Sequence, residues 1–168
     1  MKKLLVLSVI GGMMMSTACK KDDESEIEGQ WEVQSYEEKT EPEDANEGTY
    51  SSLYLNMTDG AFTFDFRTDP DVISTSGAMM ALLETYVVMD GDTISEQSAT
   101  IETTGVFEQD VEWEITSDGE IRLGTDEGSI VANYTLDGDN LRIWYDMISE
   151  MEGVSMVSST DINLRKTN

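Results

Sequence analysis

The chain has 168 residues, 39% of them hydrophobic, which suits one domain with a sizeable core and excludes a wholly disordered chain. With 35 acidic residues against 10 basic ones, the formal charge is -25, which argues against nucleic acid and anionic headgroups as partners. It has no histidine and only 1 cysteine, so the commonest general base is missing and an internal disulfide, a Cys-His dyad and a zinc cluster are excluded.

In chain order, the first element is MKKLLVLSVIGGMMMSTAC. Lys2 and Lys3 precede an uncharged stretch, Leu4 to Met15, and then the small residues Ser16, Thr17 and Ala18. Basic, apolar and small residues in that order predict a cleaved secretory signal over 1–18. The apolar stretch falls short of the roughly 20 residues of a membrane span. Residues 19–27 read as a charged tether.

From Gly29 the apolar period is two. Trp31/Val33, Phe62/Phe64/Phe66, Val111/Trp113/Ile115, Ile121/Leu123, Ile130/Ala132/Tyr134/Leu136, Leu141/Ile143/Tyr145 and Ile162/Leu164 alternate with polar or outward residues. Strands are expected at 29–37, 50–57, 61–67, 84–90, 98–107, 110–116, 120–125, 128–136, 140–147 and 154–165. The Asp and Gly residues in MTDGA, SDGE, TDEGS and LDGDN supply turns between them. The segment 74–89 is ambiguous: its Ala, Leu and Met residues suit one short helix near 75–83, and TYVVM suits a strand. The expected architecture is all-β, one antiparallel up-and-down barrel over 28–166, since closure removes sheet edges.

Two stretches resemble known families. Thr17-Ala18-Cys19 resembles a bacterial lipobox, with Ser16 where leucine is usual. The following Lys20, Lys21, Asp22, Asp23 and Glu24 resemble the export signal of Bacteroidetes-type surface lipoproteins. The resemblance implies a diacylglycerol on Cys19, which becomes the mature N-terminus, and a place on the outer face of the outer membrane. More than one acyl chain, each buried methylene contributing about 0.8 kcal/mol, gives stable anchoring. Gly29-x-Trp31 at the first strand resembles the Gly-x-Trp signature of lipocalins. VEWEITSDGEIRL and YTLDGDNLRI are similar to lipocalin-like domains of such lipoproteins. That resemblance implies a tryptophan closing the barrel base with an arginine across it, either Arg142 or Arg165.

The inward faces, with Phe62, Phe64, Phe66, Trp113, Tyr134 and Leu136, either line a cavity for a small apolar or amphipathic ligand or fill the core. Met79, Met80 and Met89 are either an adaptable surface or ordinary core. TDPDV and VMDGDT gather aspartates without the spacing of a calcium loop, so no metal is expected. Glu112 and Glu114 are a carboxylate pair of the kind glycoside chemistry uses, or solvent-facing strand residues. Asp92-Thr93-Ile94 resembles a Bacteroidetes-type O-glycosylation site. The expected function is non-enzymatic and needs no cofactor: ligand binding by a membrane-anchored barrel, or an interaction role for a filled barrel in an envelope complex.

Overall fold

The computed structural model describes residues 24–43, 49–90, 92–104, 110–125, 128–151 and 154–167. Cys19 and the expected export residues Lys20 to Asp23 lie outside them. A single helical turn, 24–27, precedes nine strands: β1 (Gly29–Pro42), β2 (Thr49–Thr68), β3 (Asp71–Met89), β4 (Asp92–Thr103), β5 (Val111–Ser117), β6 (Glu120–Thr125), β7 (Gly128–Asp137), β8 (Asn140–Met151) and β9 (Val154–Lys166). Every pairing is antiparallel. Strands β1, β2, β3, β5, β6, β7, β8 and β9 close a barrel, and β4 hangs on β3 outside the ring.

Several expected boundaries change. Residues 50–57 and 61–67 form one strand of 20 residues, β2. Asp59-Gly60, expected to turn the chain, instead sits beside a bulge in the β2–β3 pairing. Asp59 Oδ1 accepts the Gly60 amide at 2.8 Å, and Gly60 adopts φ 126°. The chain bends there without reversing. The ambiguous 75–83 segment, whose composition suits a short helix, is strand throughout β3. Its pairing with β2 runs from Thr68↔Asp71 to Asp59↔Met80 and, past the bulge, resumes from Met57↔Ala81 to Thr49↔Met89, and this ladder overrides the modest helix propensity of Ala, Met and Leu. The strand expected at 98–107 runs earlier, as β4.

Strand lengths shape the molecule. At about 3.4 Å per residue, β2 and β3 are roughly 65 Å long along the chain, against about 20 Å for β6. The long strands therefore rise past the short ones. Above the ring, the upper parts of β4, β3, β2, β1, β9 and β8 form an open sheet in that order. Among the described residues, β8 pairs with β7 only up to Trp144, and β4 pairs only with β3.

The seam of the ring is narrow. β3 and β5 share only the pairs Val72↔Glu112 and Ile73↔Val111. Side chains reinforce it: Trp113 Nε1 donates to the Arg67 carbonyl at 2.9 Å, and Arg67 Nη2 donates to Asp110 at 2.9 Å.

Candidate binding surfaces

The base of the barrel is built around Trp31, which is fully buried. The helical turn lies beneath it, ahead of the expected start of the domain, and also buries Ile27. Three of the turn's carbonyls have donors. Glu28 N reaches Glu24 O at 3.0 Å, Trp31 Nε1 reaches Ile27 O at 2.7 Å, and Lys166 Nζ reaches Glu26 O at 2.8 Å. The first is the turn's own helical bond; the Ile27 and Glu26 carbonyls are helix-end groups that would otherwise need water. Gly29 follows with φ 122° and turns the chain into β1.

The cation over Trp31 is Lys166, with Nζ 5.2 Å from the ring centroid. This corrects the expectation of Arg142 or Arg165. Lys166 pairs opposite Trp31 and lies two residues beyond the inward Leu164, so parity turns it toward the ring. Arg165 and Arg142 have the opposite parity and are exposed. Arg142 packs over Trp144, 4.9 Å from its ring centroid, and pairs with Asp161 on the outer wall.

The expected cavity-lining residues meet one another. Phe62 and Phe64 lie edge to face at 5.6 Å, Phe64 and Phe66 stack at 6.3 Å, and Phe66 and Trp113 lie edge to face at 5.4 Å. Tyr134 is buried with them, and Leu136 packs on the same cluster. Such aromatic pairs add about 0.5–1.5 kcal/mol beyond their area burial. Met79 joins this core, Met80 is half-buried, and Met89 is exposed, so the methionines form no common patch.

A polar layer lies above the aromatic core. Tyr36 donates to Glu38 at 2.8 Å, and Tyr145 and Thr160 bond across β8 and β9. Burial, then the adjacent Glu38 carboxylate, pushes the Tyr36 hydroxyl well above the usual tyrosine range. Burial also raises Tyr145, against the opposing Thr160 hydrogen bond. Above this layer the inner face of the open sheet carries the half-buried Leu53, Leu55, Leu83 and Val87.

The outer face of the same sheet bears a shallow groove of about 300 Å³, walled by Trp144 on β8 and Tyr54 on β2. Asp161, Ser159, Glu37, Lys39 and Asn56 lie between them. Lys39 Nζ sits 5.4 Å from the Tyr54 ring centroid and pairs with Glu41 at 2.7 Å. Tyr54 also donates to Glu41, and this bond, ahead of burial, raises its hydroxyl to about 12. Tyr86 meets the Tyr54 ring edge to face at 5.4 Å.

Glu112 and Glu114 project outward and are exposed, and Arg122 Nη2 holds Glu114 at 2.7 Å. Among the described residues no group of three or more His, Cys, Asp or Glu side chains is placed to hold a metal. Asp69 and Pro70, from TDPDV, form the β2–β3 turn, and Thr93 is exposed in β4.

The fold defines the class: a closed antiparallel up-and-down barrel of lipocalin-like form. No protein-family model, curated protein or solved structure matches the chain.

Proposed function

We propose that this is a cell-envelope lipoprotein. Acyl chains on Cys19 hold it on the outer face of the outer membrane, and it acts without catalysis as an interaction protein with a filled barrel. The observation that carries this reading is the mutual contact of Phe62, Phe64, Phe66 and Trp113, which spends the interior's aromatic surface on itself. Binding then falls to the outside. The tether enters at the base, beside Trp31 and Lys166, so an anchored molecule directs its open sheet away from the membrane. The groove between Trp144 and Tyr54 and the two sheet edges are then the parts a partner meets first.

A second reading rests on the half-buried Leu53, Leu55, Leu83 and Val87. They give the inner face of the open sheet an apolar wall, which suits a small apolar or amphipathic ligand. Native mass spectrometry of the full mature chain, incubated with a lipid and metabolite extract of the source cells, separates the two. The filled barrel is expected to give no adduct. A reproducible adduct, lost on denaturation, would overturn it in favour of the container. The anchor is tested separately. Cys19→Ala is expected to release the protein from the membrane fraction and to remove the acyl mass, and an unchanged mature mass would refute lipidation.

A further inference from the structure

The strand outside the ring poses its own problem. β4 is 12 residues long, and all of them are exposed except the half-buried Ile101 and Thr103. Among the described residues one of its edges is laddered to β3, and no strand is laddered to the other. Such an edge presents a row of backbone donors and acceptors to any extended chain. Edge strands are usually kept short, or carry lysine or proline. β4 has neither residue; its pairing with β3 slips once, at Ile94, and beyond that slip it runs regularly from Ser95 to Thr103, with Thr100, Ile101 and Thr103 β-branched. Ile94 is 56% exposed.

Charge selects the occupant. Between Arg67 and Arg122 the sequence has no lysine or arginine, and β4 itself carries Asp92, Glu96 and Glu102. A second copy pairing through β4 would therefore set acidic strand against acidic strand with no cation on either. An extended cationic segment meets carboxylates instead, and like charges on it would be unopposed by any basic residue of β3, β4 or β5.

We propose that the free edge of β4 is a strand-addition site for an extended, lysine- or arginine-rich segment of a partner protein. Backbone hydrogen bonds supply the affinity, and Asp92, Glu96 and Glu102 select for positive charge. This deepens the interaction reading and rests on it. Its test is independent of the barrel interior, so failure here leaves the adduct experiment standing, and the reverse.

The probe is a labelled synthetic peptide of β4's own length, alternating lysine with valine, titrated into the full chain in detergent. Saturable binding is expected, with amide-exchange protection gained in β4. Two changes then separate strand addition from mere charge attraction. The same peptide N-methylated along one edge keeps its charge but loses the donors on that edge, so its affinity is expected to fall at least about tenfold. The exposed pair Glu96→Lys and Glu102→Lys is expected to weaken the unmodified peptide by a similar factor while leaving the protein's melting temperature unchanged. Equal binding of the N-methylated peptide would overturn the proposal. So would protection on β8 in place of β4, or no saturable binding at all.

Discussion

The base of the barrel offers a sharp test, because two neighbouring cations differ only in which way they point. Lys166→Met keeps an unbranched stem but removes the charge over Trp31 and the hydrogen bond to Glu26 O. A cation–π contact at a partly exposed site contributes about 0.5–1 kcal/mol. A hydrogen bond from a charged donor contributes about 1.5–3 kcal/mol when buried, and less here, because Glu26 is exposed and water can replace the donor. The expected cost is about 1–1.5 kcal/mol, or a melting temperature lower by roughly 3–5 °C for a domain of this size. Arg165→Met is the control. It removes the same charge from a chain of formal charge -25, so any rise in self-repulsion is common to both. Its own effect is expected within about 0.5 kcal/mol. Urea unfolding of both variants at one pH and salt concentration gives the difference. Equal losses at the two positions, or no loss at Lys166, would refute the assignment of the lock to Lys166.

Three further outcomes follow from the same geometry. Because the folded state holds the Tyr36 hydroxyl above its unfolded value, the stability it contributes is whole below about pH 10 and lost as the pH rises through the folded value. Unfolding free energies from urea titrations between about pH 9 and 12 should fall above pH 10, by about 1.4 kcal/mol per pH unit for this group, and Tyr36→Phe should flatten the fall; identical slopes would count against it. A Cβ at Gly77 would lie 2.0 Å from the Ala61 carbonyl oxygen at φ 90°, whereas one at Gly138 meets nothing within 4 Å. Gly77→Ala should therefore cost more than about 2 kcal/mol and Gly138→Ala about 1 kcal/mol, and equal losses by calorimetry would refute the close approach of β2 and β3. Arg67→Met should loosen the two-pair seam, raising amide exchange at Val111 and Glu112 about tenfold while β8 and β9 are unchanged; a uniform rise would place Arg67 in global stability instead.

The ring was legible in the sequence wherever one face of a strand is dry and the other wet. β5 and β7 alternate inward and outward as their residues alternate apolar and polar, and the period of two reads them directly. β3 defeats that signal for a physical reason. It lies inside the sheet, between β2 and both β5 and β4, and residues on both its faces are buried or half-buried, so Met79, Ala81 and Leu83 on one face alternate with Met80 and Leu82 on the other. A strand covered on both sides shows no alternation and passes for a helix. The Asp59-Gly60 bulge failed in the opposite way. Its residues are those of a hairpin turn, and only the ladder that continues on both sides reveals that the chain does not reverse.

The base lock was within reach of the same periodicity. Leu164 faces inward, so Lys166, two residues on, must as well, while Arg165 and Arg142 cannot. The resemblance to lipocalins pointed to an arginine, and side-chain parity overrules residue type, because a strand cannot turn a neighbour inward without a bulge. The free edge of β4 was not legible at all. Whether a strand is paired on one edge or two depends on where its neighbours stop. Here β5 gives way to β4 along β3 because β5 meets only Val72 and Ile73, while β3 runs on to Met89. The excess length of β2 and β3 over the short strands is thus what lifts an open sheet above a closed ring. Among the described residues, one chain then holds a closed core and, above it, a sheet with two edges, β4 and the upper part of β8.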